Sequence, residues 1–154
     1  MALAKATPAP NFTLPLLKGN EFSLSRQLGQ APLLLFFFKT TCPVCQLASP
    51  YVERLSQSGA RVYGVGQNLD HKTIKQYTDE YSLTFPVALE QPGYEVSNKY
   101  DIDVVPTLFL VSADSMVEQA VECFDKAGYE TVAATLGVPS PFRVSDNVPA
   151  YRPG

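Results

Sequence analysis

Residues 33–55 read LLLFFFKTTCPVCQLASPYVERL, with two closely spaced cysteines just after six apolar residues. The run Leu33 to Phe38 has no polar face. That is the pattern of a strand central in a parallel sheet and covered by helices on both sides. Beyond the cysteines, Val44, Leu47, Ala48, Tyr51, Val52 and Leu55 recur at helical spacing. Gly59 stands where a helix C-cap belongs. The cysteines therefore fall at a strand-to-helix junction. Cys42 is placed at the helix start and Pro43 in the first turn, where the missing proline N–H costs nothing.

A sulfur at that point faces unpaired backbone N–H groups and the positive end of the helix dipole. Such sites lower a cysteine from ~8.5 into the range ~3.5 to 7.5. Lys39 would add positive charge, and Thr40 and Thr41 bring hydroxyl donors. Cys45 lies one turn further in, on the face that packs toward the sheet. The spacing suits a division of labour: Cys42 attacks a disulfide, and Cys45 resolves the mixed disulfide that results.

Two other readings stay open. A structural zinc site needs four ligands, and Cys42, Cys45, Cys123 and His71 supply the count. Against it, Cys123 falls in an apparent strand and His71 at a helix start, with no second close pair. The pair could also be inert. Cys123 alone reads as a core cysteine, with a second resolving thiol as its alternative. His71 reads as a solvent-facing residue in the first turn of its helix.

Outward from the pair, two short alternating segments around Lys18-Gly19-Asn20 predict a hairpin. Ser25 is expected to cap a helical turn to Leu28. Arg61 to Gly66, Phe85 to Leu89, Thr107 to Val111 and Met116 to Phe124 read as strands. Asp70 is expected to cap a helix with Ile74, Tyr77 and Tyr81 on one face. A short helix spans Tyr94 to Tyr100, and Asp125 caps a last helix that ends at Gly137. Strands alternating with helices predict an α/β fold with helices on both faces of one sheet, the opening hairpin adding strands at one edge. Residues 1–137 form the expected domain. Residues 138–154, with four prolines, read as a surface-lying extended tail or as disordered.

The length of 154 residues suits one domain with a single core. An isoelectric point near 5.1 argues against nucleic acid as a partner. No apolar run approaches the ~20 residues of a membrane helix. The first residues, MALAKATPAPNF, carry no apolar signal core. That predicts a cytoplasmic protein, or a periplasmic or other extracytoplasmic one if a signal segment was removed.

The strand followed by Thr41-Cys42-Pro43-Val44-Cys45 and a helix resembles the thioredoxin superfamily. Pro50, eight residues after Cys42, stands where that family has a kinking proline and is expected to interrupt the helix. Val104-Val105-Pro106-Thr107 resembles the family's cis-proline loop. The resemblance covers roughly Ala9 to Gly137. It is strongest to the TlpA/ResA-like branch of the alkyl hydroperoxide reductase/thiol-specific antioxidant group. It implies a thioredoxin-like fold with a central mixed sheet and a thiol–disulfide oxidoreductase that needs no cofactor and no metal. Its partners would be a protein disulfide and an upstream dithiol reductant. Thr41, Pro43, Val44, Val105 and Pro106 would line the substrate groove, with Val105 offering its backbone.

Three positions depart from the family. Thr41 replaces the common tryptophan. Phe36 stands where thioredoxin has a buried acid, and Ala48 where ResA-like proteins carry a glutamate. The usual proton acceptor for Cys45 is therefore missing, with Lys39 or a bound water as substitutes. A peroxiredoxin is the rival within the superfamily. Its motif wants proline and threonine seven and three residues before the reactive cysteine. Leu35 and Lys39 precede Cys42 there, and Phe38 and Cys42 precede Cys45. A non-catalytic binding module on the same fold is the reading from another class.

Overall fold

The computed structural model describes residues 1–29, 31–67 and 70–154. In chain order the elements are β1 (Thr13–Pro15), β2 (Glu21–Ser23), α1 (Leu24–Leu28), β3 (Leu33–Phe38), α2 (Pro43–Gln57), β4 (Val62–Gly66) and α3 (His71–Glu80). They continue with β5 (Val87–Leu89), α4 (Glu95–Lys99), β6 (Thr107–Val111), β7 (Val117–Glu122), β8 (Phe124–Asp125), α5 (Lys126–Leu136) and β9 (Tyr151–Arg152).

Five strands form the central sheet in the order β5-β4-β3-β6-β7. β3 is its middle strand, and all six of its residues are buried. Its side chains alternate strictly between faces, as a strand requires. Leu34, Phe36 and Phe38 join one core with Ala48, Val52 and Leu55 of α2, Ile74 and Tyr77 of α3, and Tyr129 and Val132 of α5. Leu33, Leu35 and Phe37 join the other, with Phe12, Phe22, Leu24, Leu28, Val96 and Tyr100. β3 pairs parallel to β4 but antiparallel to β6, so the sheet is mixed.

Several local expectations are corrected. Ser25 does not cap α1: Ser23 precedes that helix, without a side-chain cap bond, and Ser25 lies inside it. The hairpin β1–β2 is a separate two-stranded sheet. It touches the edge of the main sheet through one bridge, Leu16 to Ala88, and spends its apolar residues on the sheet's face. Pro50 does not interrupt α2, which runs unbroken from Pro43 to Gln57. Cys123 is not in a continuous strand. It takes a left-handed conformation, φ +68°, which ends β7 and turns the chain into β8.

The helix caps follow the sequence. Asp70 accepts from the Lys72 N–H, and Asp125 accepts from the Gly128 N–H. Gly59, just past α2, has φ +113°, a conformation open to glycine. Gly66 serves close approach instead. A β-carbon there would lie 2.7 Å from the Ile74 Cδ1, so its absence lets α3 settle on β4.

Residues 138–154 are extended along the surface, with short paired and packed stretches. Val138, Phe142 and Val148 pack against the α2 side of the core. The Phe142 ring lies 4.8 Å from Tyr51 and 5.9 Å from Phe124. Arg54 of α2 holds the segment through the Pro141 carbonyl at 2.9 Å and the Asp146 carboxylate at 2.6 Å. β9 then pairs antiparallel with β8.

Candidate active site

The site lies where β3 ends and α2 begins. Cys42 is the N-cap residue of α2, with extended backbone, and Pro43 occupies the first turn. The Cys42 Sγ accepts the Cys45 backbone N–H at 3.1 Å, one of the donors a helix start leaves unpaired. On its other side the same sulfur lies 3.6 Å from the Val105 carbonyl oxygen. The Val105–Pro106 peptide is cis. The Thr107 hydroxyl donates to the Val104 carbonyl at 2.8 Å, and the Cys123 N–H donates to the Pro106 carbonyl at 2.8 Å. These bonds fix the loop that faces Cys42.

The two sulfurs have different surroundings. Cys42 is half-buried, whereas Cys45 has no solvent exposure. Burial pushes the Cys45 thiol well above its ordinary value, and its bond to Cys42 pushes further in the same direction. The Lys39 backbone N–H opposes this, and the charge of Lys39 adds a smaller effect of the same sign. At neutral pH Cys45 is therefore a protonated thiol, while the half-buried Cys42 sulfur lies between the Cys45 N–H and the Val105 carbonyl.

The structure brings together Cys42, Cys45, Val105 and Pro106. Thr41 and Pro43 are exposed beside them, and Val44 is half-buried. Thr40 is buried, and its carbonyl accepts the Gln46 side-chain amide at 2.9 Å, which ties the loop to α2. The Lys39 ammonium does not rest on the sulfurs. It lies 5.5 Å from the centre of the Tyr94 ring, beside a depression of about 200 Å³ lined also by Gln67, Asn98, Asp103 and Val105.

Phe36 and Ala48, which stand where relatives carry acids, are fully buried apolar residues. What adjoins Cys45 instead is a hydroxyl pair. The Ser49 Oγ donates to the Cys45 carbonyl at 2.8 Å and lies 2.7 Å from the Tyr77 hydroxyl. Nothing in the spacing of the cysteines announces this pair, because Tyr77 comes from another helix.

The zinc arithmetic does not become geometry. Among the described residues no three His, Cys, Asp or Glu side chains converge on a metal-sized site. His71, exposed at the start of α3, bonds through Nε2 to the Leu17 carbonyl at 3.1 Å. Cys123 is buried, beside the Tyr151 hydroxyl, whose pKa it raises.

Comparison with known proteins gives a consistent picture. The model of the AhpC/TSA family matches residues 6–120. A thiol-disulfide oxidoreductase ResA of Halalkalibacterium halodurans is 31% identical over 137 residues, which cover 80% of this chain and 77% of that protein. The ResA of Geobacillus kaustophilus is 29% identical over 124 residues, 78% of this chain and 70% of that protein. Among solved structures, the thioredoxin domain of a thiol-disulfide oxidoreductase from Bacteroides vulgatus superposes with a TM-score of 0.77. It covers 88% of this chain and 99% of that one at 24% identity.

Proposed function

Since this chain belongs to the AhpC/TSA family, and within the thioredoxin superfamily to its TlpA/ResA-like branch, we propose that it exchanges the Cys42–Cys45 dithiol with disulfides of partner proteins. The observation that carries this reading is the asymmetry of the pair. One sulfur sits at a helix N-terminus 3.1 Å from a backbone donor, and the other is sealed in the core.

In the reducing direction the Cys42 thiolate attacks one sulfur of a partner disulfide. A Cys42–partner disulfide forms, and the partner's other sulfur leaves as a thiolate that takes up a proton. Cys45 then loses its proton and attacks the Cys42 sulfur. The second partner thiol departs, and Cys42–Cys45 is left as a disulfide. Two electrons have passed to the partner, and an upstream dithiol restores the pair. Thr41, Pro43 and Val44 would form one wall of the groove, Val105 and Pro106 the other. Lys39 acts on Cys45 through its backbone N–H and, more weakly, its charge, while the Thr40 carbonyl ties the loop to α2 through Gln46.

The test is insulin reduction with a recycling dithiol. Cys42→Ser should fall to the uncatalysed rate. Cys45→Ser should accumulate a covalent adduct on Cys42 that a reducing agent releases. Undiminished turnover by Cys42→Ser would defeat the proposal. Turnover of peroxide but not of insulin would favour the peroxidase reading, and neither activity the binding module.

A further inference from the structure

The described chain continues past its last packed side chains to the mouth of the site. Val148 is the last residue of the 138–154 segment that packs against the core. From there Ala150 accepts the Lys126 N–H through its carbonyl at 3.0 Å, and Tyr151 and Arg152 pair with Asp125 and Phe124. This course ends at Gly154, whose backbone abuts the Val105 carbonyl. A β-carbon there would overlap the Val105 oxygen. It would lie 3.0 Å from the Val105 carbonyl carbon and 3.5 Å from the Val104 Cβ. That oxygen is the one 3.6 Å from the Cys42 Sγ.

We propose that residues 150–154 are a strand-like latch over the Val105 side of the redox site, which a protein disulfide must displace to reach Cys42. The proposal rests on the reading of Cys42 as the attacking sulfur. A disulfide carried on a polypeptide brings its own backbone to the sulfur it presents. On the Val105 side of Cys42 that space is held by the backbone of Gly154. A small reagent needs no such room.

The latch is built to open. β9 has two residues, both exposed, so little apolar area opposes its release. Its Tyr151 hydroxyl stands beside Cys123. The segment before it is held more firmly, by Arg54 on Asp146 and Pro141. Opening thus moves residues 150–154 about residues 147–149 and leaves the Phe142 packing in place.

The test compares the full chain, a chain lacking residues 150–154, and Arg152→Pro, which removes the N–H that β9 turns toward Phe124 but keeps the length. Each is reduced, and Cys42 is titrated with iodoacetamide and with a cysteine peptide carried as its mixed disulfide with thionitrobenzoate. Both altered chains should react with the peptide about fivefold faster, the factor ~1 kcal/mol of latch closure gives, while iodoacetamide changes by less than about twofold. If the shortened chain fails to fold by circular dichroism, Arg152→Pro carries the comparison. Equal peptide rates across the folded chains overturn the latch. The same chains are assayed on insulin. Loss of insulin turnover in all of them, with the peptide rate still rising on release, would fail the reductase reading and leave the latch standing.

Discussion

Replacing Ser49 by alanine should destabilise the protein more than replacing its partner Tyr77 by phenylalanine, and the second change should partly cure the first. The Ser49 hydroxyl is buried between the Cys45 carbonyl and the Tyr77 hydroxyl. Tyr77→Phe removes one hydrogen bond and leaves Ser49 bonded to Cys45, a loss of about 1 kcal/mol. Ser49→Ala removes that bond too and strands a phenol that is only 4% exposed. A stranded buried hydroxyl costs ~1 to 3 kcal/mol, and alanine returns about half a kcal/mol of helix propensity. The net cost is about 2 kcal/mol, or a Tm fall of roughly 4 to 8 °C at this size. In the double variant no polar group is left over, so it should lose only about 1 kcal/mol and be more stable than Ser49→Ala alone. Urea unfolding of the reduced protein, with unchanged slope, reads all four corners of the cycle. Additive losses, or a double variant weaker than Ser49→Ala, would refute the idea that the two hydroxyls serve each other.

Two further outcomes follow from the core. Burial raises the Cys45 thiol above its ordinary value of 9.0, so the folded state keeps a proton that the unfolded chain gives up. Stability is therefore intact below that value and falls as pH rises past it, by at most ~1.4 kcal/mol per pH unit from this group. Denaturant titrations of reduced protein between pH 8 and 10 should show Cys45→Ala declining less steeply, and parallel curves would contradict the assignment. Gly66→Ala should cost about 1 to 3 kcal/mol by overpacking, since the new methyl would sit 2.7 Å from the buried Ile74. A neutral thermal melt would show that α3 shifts freely on the sheet.

Much of this was legible in the chain because the signals were local. The apolar run of β3, the helical spacing of α2, and Asp70 and Asp125 as caps each depend on residues close in sequence. The Cys-Pro-Val-Cys placement at a helix start needed only helix geometry. What was not legible depended on distant partners. β6 runs antiparallel to β3; the family resemblance implied a mixed sheet, but no residue of either strand states its neighbour's direction. Pro50 breaks the helix in a propensity argument, yet tertiary packing holds α2 through it, with Val52 and Leu55 fully buried beyond. The prolines of residues 138–154 rightly excluded a regular helix or a central strand, and Tyr151 and Arg152 form only a short outlying strand. They did not reveal that Phe142 would find Tyr51, or that Asp146 would find Arg54. Ser49 and Tyr77, 28 residues apart, meet only once the sheet has set α3 beside α2.

The sealed position of Cys45 also sets a rule of stoichiometry. On the proposed reading, a partner would be tethered through Cys42 only, because Cys45 has no solvent exposure. The molecule would then hold one partner at a time and could not bridge two into a chain. Such an exchanger would be a single-berth shuttle, each visit ending with release before the next began.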